Sequence, residues 1–221
     1  MRVGVITFPG SNCDEDCRYS LSQLESVAVS PLWHKDLSSL SEYDLVVLPG
    51  GFSYGDYLRT GAMAAISPIM SSVKDFAARG GKVLGICNGF QILCESGLLP
   101  GALVRNSKLG FICKEVILEV EEPSPWTGSL PKGSFLKLPI AHGEGRFVID
   151  PTTYSEMTKN HQILFRYQED VNGSFERIAG ITNKEKNVCG MMPHPERATD
   201  LKSRDGMKIW KAVLDWGRGQ S

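Results

Sequence analysis

Lys82-Val83-Leu84-Gly85-Ile86-Cys87-Asn88-Gly89-Phe90-Gln91-Ile92-Leu93-Cys94-Glu95 decides the fold. The run from Lys82 to Ile86 is apolar and of strand length, and about Asn88 to Glu95 has helical spacing. Between them Gly85-Ile86-Cys87-Asn88-Gly89 has the form Gly-x-nucleophile-x-Gly. A nucleophile in so tight a strand-to-helix turn has a strained backbone, and neighbouring β-carbons would collide with it. The turn lifts the sulfur above the carboxyl edge of a sheet, where open α/β folds bind ligands. The positive end of the following helix favours thiolate over thiol, and the N–H of Asn88 is placed to bind an oxyanion. The plainer reading is a structural cysteine between two packing glycines. Cys94, inside the helix, reads as a core residue.

The same alternation extends towards the N-terminus. Val3–Thr7, Val29–Trp33 and Asp44–Leu48 are short apolar runs of strand type. Ser11 or Asn12 is suited to cap a helix whose first turn carries Asp14, Glu15 and Asp16. A second helical stretch covers about Gly61 to Ala78. Beyond the elbow the pattern changes. Val116, Leu118 and Val120 alternate with polar residues, and Phe135–Ala141, Arg146–Ile149 and Val188–Met192 read as further strands. Asn172–Gly173, between Ile163–Tyr167 and Arg177–Ile181, signals a hairpin. Asp205–Trp216 closes as an amphipathic helix. The expectation is an α/β fold: a mostly parallel central sheet with helices on both faces, plus a small antiparallel strand region. With no repeat or clear linker, residues 1–221 form a single domain.

Composition narrows the function. The 221 residues include 42% hydrophobic and 22% charged residues, enough for an ordinary core, and the net charge is −1. Such a balance does not suit nucleic acid or an anionic membrane surface as partner. No apolar stretch is long enough to span a bilayer, and the N-terminal run lacks a small-residue cleavage site. Six scattered cysteines in a chain this large imply reduced thiols and a cytoplasmic setting. Cys13 and Cys17 are closely spaced, but no neighbouring Cys or His pair completes a metal site.

A cysteine nucleophile needs a base, and the base an orienter. His194 lies in Met192-Pro193-His194-Pro195-Glu196. Pro195 biases His194 towards extended backbone, which turns Glu196 to the same side. His142, in Ala141-His142-Gly143-Glu144-Gly145, is a rival that also follows a strand and precedes a carboxylate by two residues. Sequence logic admits both. A second glycine loop, Pro49-Gly50-Gly51-Phe52-Ser53-Tyr54-Gly55-Asp56, also follows a strand. It lacks the Lys-Ser/Thr of a phosphate-binding loop, and Gly51 could present a further N–H to developing negative charge.

Together these sites resemble the class I glutamine amidotransferases, whose pattern is a glycine-lined oxyanion strand, a Gly-x-Cys-x-Gly-x-Gln elbow and a late His-Pro-Glu. Phe8 to Asp14, Gly50 to Ala62, Gly85 to Gln91 and Ala141 to Gly145 are similar to the glutaminase subunits of phosphoribosylformylglycinamidine synthases of purine synthesis. The resemblance implies amide hydrolysis through a thioester. In it Cys87 attacks glutamine, His194 moves the proton, Glu196 orients His194, and Gly51 and Asn88 bind the oxyanion. Gln91 matches the residue that holds the substrate. Tyr54, Tyr57, Arg59 and His142 are candidates for partner contact and gating. The implied partners are a large synthetase subunit and a small accessory subunit. No cofactor is implied in this chain, and ATP and Mg belong to the synthetase. The alternative within enzymes is a stand-alone cysteine hydrolase, a γ-glutamyl hydrolase or peptidase on a related fold.

Overall fold

In the computed structural model, which describes residues 1–37, 39–200, 204–217 and 219, one large sheet organises the chain. Its first strands are β1 (Arg2–Thr7), β2 (Ala28–Trp33), β3 (Leu45–Leu48) and β4 (Lys82–Ile86). A two-stranded sheet pairs β5 (Ala102–Val104) with β8 (Arg146–Val148). The large sheet continues with β6 (Ile112–Val120), β7 (Phe135–His142), β9 (Ile163–Tyr167), β10 (Ile178–Thr182) and β11 (Val188–Met191). Its nine strands run in the order β2-β1-β3-β4-β11-β10-β9-β6-β7. The pairs from β2 to β11 are parallel and the remainder antiparallel, so all strands but β10 and β6 point the same way.

Burial explains the parallel half. Every residue of β3 and β11 is buried, as is all of β4 after Lys82. Strands covered on both faces carry apolar residues continuously rather than alternately. In β6 and β7 the buried residues alternate, as the sequence pattern requires of a half-exposed ribbon. The helices are α1 (Asp14–Ser22), α2 (Ala62–Ala65), α3 (Ile69–Ala78), α4 (Asn88–Glu95), α5 (Pro151–Lys159) and α6 (Asp205–Gly217). In α6 Ile209, Trp210, Val213 and Leu214 form the buried stripe. Among the described residues, no helix is long and apolar enough to cross a membrane.

Two local expectations are corrected. The helix expected over about Gly61 to Ala78 is two, because Pro68 restricts the residue before it and Ile66–Ser67 falls between α2 and α3. Neither Ser11 nor Asn12 caps α1: Cys13 holds the cap position without a side-chain bond, and the Ser11 hydroxyl accepts from Phe8 N instead. The expected hairpin forms, since β9 and β10 pair antiparallel, and Asn172–Gly173 lies in a connection wider than a two-residue turn. The Asn172 side chain is buried and its amide donates to Gly145 O (2.8 Å), tying the connection to the β7–β8 loop. Helix α5 was not anticipated, although Asp150-Pro151 is a sound start signal: Asp150 accepts from Thr152 N and Thr153 N, both at 3.0 Å.

Candidate active site

Three adjacent strands build the site. β3, β4 and β11 are neighbours, and their carboxyl ends are level: Leu48 pairs with Gly85, and Met191 with Ile86. The segments leaving them carry Gly50–Gly51, Cys87 and His194. Residues distant in sequence therefore meet because their strands are parallel and in register. The far-edge strand β7 curls back over the same place, where Pro139 O accepts from His194 N (2.9 Å) and Ala141 O lies 3.8 Å from Cys87 Sγ.

Cys87 has φ 50° and ψ −104°, a strained geometry for a residue with a side chain. The turn is closed by Cys87 N donating to Met191 O (2.8 Å). Gly89 cannot be replaced without movement: a β-carbon there would lie 1.9 Å from Leu48 O. That approach seats the start of α4 against β3 and leaves the Asn88 N–H at the free end of the helix. Gly51 has φ 142°, and a β-carbon on it would lie 2.6 Å from Asn12 N. The bonds around it, Asn12 N to Gly50 O (3.3 Å) and Phe52 N to Gly10 O (2.9 Å), use neither the N–H nor the C=O of Gly51. The Phe8–Asp14 segment thus clamps the Gly50–Gly51 segment.

The two candidate bases differ in their partners. His194 is extended (φ −101°, ψ 91°), and Glu196 follows in a 3-10 turn, Pro195–Arg197, rather than in continued extended chain. Nδ1 of His194 nevertheless meets Glu196 Oε1 at 2.6 Å, with both side chains buried. Burial opposes charge on His194, but Glu196 and then the Cys87 sulfur overcome it and hold its pKa well above the usual value. His142 faces an amide instead: Nδ1 lies 3.1 Å from Asn106 Oδ1. Burial, then the charge of His194, lowers its pKa to about 4. Glu144, the carboxylate two residues on, turns away and accepts from Thr60 Oγ1 (2.8 Å), with Arg105 Nε 3.6 Å from its other oxygen. Carboxylate orientation therefore belongs to His194.

Beside Cys87 lies a cavity of about 150 Å³ bounded by Gly51, Phe52, Asp56, Gln91, Phe111 and the Ala141–Glu144 segment, among others. Gln91 Nε2 donates to Glu144 O (2.6 Å) and its Oε1 accepts from Asn88 Nδ2 (2.9 Å), so its amide braces the wall. Asp56 was not singled out by the sequence. It sits at φ 55°, with Oδ1 buried and without a protein partner among the described residues. Burial and the nearby Glu144 raise its pKa to about 6. Of the other loop residues, Tyr54 turns inward, its hydroxyl 2.8 Å from His34 Nδ1 and 2.9 Å from Ser67 Oγ. Arg59 makes a two-pronged pair with Glu95, at 2.7 and 2.5 Å. Tyr57 is exposed (71%).

The chain is 54% identical to phosphoribosylformylglycinamidine synthase subunit PurQ of Synechococcus sp. (strain JA-2-3B'a(2-13)), covering 97% of this chain and 96% of that one. It is 52% identical to the subunit of the same name from Alkaliphilus metalliredigens (strain QYMF), with 99% and 98% covered. Among solved structures, a chain of PurLQS from Thermotoga maritima superposes with a TM-score of 0.89 at 46% identity, covering 97% of this chain and 98% of that chain. Residues 1–217 match the family described as the CobB/CobQ-like glutamine amidotransferase domain, and the chain belongs to that family.

Proposed function

We propose that this chain is the glutaminase subunit of a phosphoribosylformylglycinamidine synthase, hydrolysing glutamine and passing ammonia to a synthetase partner. The observation that carries the chemistry is the buried Nδ1–Oε1 contact of His194 and Glu196 (2.6 Å) beside a strained Cys87. In the reaction the thiolate of Cys87 attacks the side-chain carbonyl of glutamine. The N–H groups of Gly51 and Asn88 receive the oxyanion, each such donor lowering the barrier by about 3 kcal/mol. His194 protonates the departing ammonia, leaving a thioester on Cys87. It then deprotonates the water that releases glutamate. Large synthetase and small accessory subunits are the partners, and ATP and Mg serve the synthetase half of the reaction. A glutaminase assay on the purified chain with and without synthase tests the assignment.

Substrate specificity rests on Asp56 and Glu144. Both carboxylates line the same cavity as Cys87, and together they attract the α-ammonium of glutamine. Asp56, with its pKa raised to about 6, is ionised at neutral pH and loses its charge as pH falls through that value. The sign for the free protein is the reverse: ionised Asp56 is a cost to stability as pH rises from the ordinary aspartate range through about 6. KM for glutamine should therefore rise below that pH while kcat changes less. Asp56→Asn should raise KM at neutral pH on the order of 10-fold, as loss of a charge-assisted bond does, and flatten the profile. Steady-state kinetics between pH 5 and about 8 check this; an unchanged KM would place ammonium recognition elsewhere.

The loop after Gly51 also suits a gate. Tyr54, Asp56 and Leu58 all have positive φ, a conformation side chains disfavour, while Tyr57 and Leu58 face outward. A partner that grips the outward residues can shift the strained loop and with it the Gly51 N–H. The isolated chain is expected to turn over glutamine slowly, with the rate rising on titration with synthase, most when the acceptor substrate is bound. Tyr57→Ala or Arg59→Ala should weaken that activation. If both variants activate normally, the His142 loop becomes the gate.

A further inference from the structure

Cys13 is not needed for the reaction above, yet it is buried against the catalytic pair. Its Sγ, a ring nitrogen of His194 and a carboxylate oxygen of Glu196 all lie within 4.8 Å of one another. Cys13 and His194 are packed under Gly50, where a β-carbon would lie 2.7 Å from His194 Cε1 and 3.1 Å from Cys13 Sγ. The Glu196 side chain is fully buried, and its Oε2 has no protein partner among the described residues. Nor does His194 Nε2 have a hydrogen-bond partner of good geometry among them. A soft sulfur, an imidazole and a carboxylate with open acceptor positions form the donor set of zinc. Zinc bonds of about 2.3 Å to sulfur and 2.0–2.1 Å to nitrogen set tetrahedral ligands roughly 3.5 Å apart. From separations within 4.8 Å the sulfur needs to close by about 1 Å, and where Nδ1 is the ligand its 2.6 Å contact with Glu196 Oε1 opens by a similar amount, both within rotamer adjustment.

We propose that Cys13, His194 and Glu196 form an inhibitory site for a divalent transition metal such as Zn2+. Binding displaces the Cys13 thiol proton, engages one nitrogen of His194 and takes a carboxylate oxygen of Glu196, with solvent in the fourth position. The base is then unavailable to Cys87, and glutamine hydrolysis stops while the synthetase half is untouched. This consequence rests on His194 being the base; the metal site itself does not.

The site is tested with Co2+ as the probe on the Cys87→Ala chain, so that the nucleophile cannot supply the sulfur. Stoichiometric binding with a sulfur-to-cobalt charge-transfer absorption is expected. The Cys87→Ala/Cys13→Ser double variant should lose that absorption, with affinity lower by at least ~10-fold. Absence of the band in Cys87→Ala, or its survival in the double variant, overturns the proposal. In the assembled synthase, buffered Zn2+ should inhibit glutamine-dependent synthesis but not ammonia-dependent synthesis. Cys13→Ser should raise the half-inhibitory concentration at least ~10-fold. Cys13→Ala repeats the measurement should the hydroxyl disturb the buried site. Equal sensitivity of the parent and both variants would sink the idea. If the chain has no glutaminase activity, the cobalt experiment still decides whether the site exists.

Discussion

Cys87→Ala, introduced into the assembled synthase, is expected to abolish glutamine-dependent synthesis and leave ammonia-dependent synthesis intact. The size of the loss follows from the chemistry: without a nucleophile there is no thioester, and removal of a triad member costs about four orders of magnitude or more. The selectivity follows from the fold. Cys87 stands at the carboxyl end of β4, and its main-chain bond to Met191 O does not depend on the side chain. Alanine is the smaller residue at a strained backbone position, so the elbow keeps its shape. Parallel assays with glutamine and with ammonium as nitrogen donor check it. Equal loss of both would show that Cys87 does more than release ammonia. Cys94→Ala and Cys113→Ala should stay within a few-fold of the parent. The Cys94 thiol contacts Pro100 O, and burial raises its pKa far from the reactive range; Cys113 is exposed on β6.

The elbow was legible because everything it needs is local. Strand, cysteine, flanking glycines and helix lie within fourteen consecutive residues, and the steric reason for Gly89 is a neighbouring strand that the pattern already implies. The sheet's parallel half was legible for a similar reason, since burial on both faces writes itself as unbroken apolar runs. The choice between His194 and His142 was not decided by local logic. Both follow strands and precede a carboxylate by two residues, but Gly143 and Gly145 leave the direction of Glu144 undetermined by sequence. Only the fold shows that Glu144 bonds Thr60 and not His142. Asp56 is not singled out by the sequence, and Cys13 reads there only as a metal candidate paired with Cys17 that lacks further ligands, because the significance of both is tertiary. Asp56 is defined by Glu144, which is distant in sequence. Cys13 acquires His194 and Glu196 only when β1 and β11 are placed in one sheet. The Asn172–Gly173 signal pointed correctly to antiparallel pairing of β9 and β10, while the width of their connection is tertiary, set in part by a buried side-chain bond from Asn172 to Gly145.

His194→Ala should reduce glutaminase turnover by several orders of magnitude, because thiolate formation, departure of ammonia and activation of water all pass through one imidazole. Glu196→Gln should cost less. The amide fits the same space and can still accept from Nδ1–H, but it no longer supplies the buried negative charge that holds a proton on His194. The pH dependence separates these effects. With Glu196 neutral, burial lowers the His194 pKa unopposed by that charge, so the protonated form needed to expel ammonia is lost at a lower pH than in the parent. The alkaline limb of the kcat profile should therefore move down in Glu196→Gln. His142→Ala is the control. His142 is neutral across this range, with a pKa of about 4, and its ring partner is Asn106, so its loss should alter KM and partner activation more than kcat. Turnover should be measured on the assembled synthase, with complex formation confirmed for each variant. If His142→Ala proved as damaging to kcat as His194→Ala with the complex intact, a second imidazole would have to carry one of the proton transfers. Its place beside Ala141, whose carbonyl lies against the Cys87 sulfur, would make departure of ammonia the step to reassign.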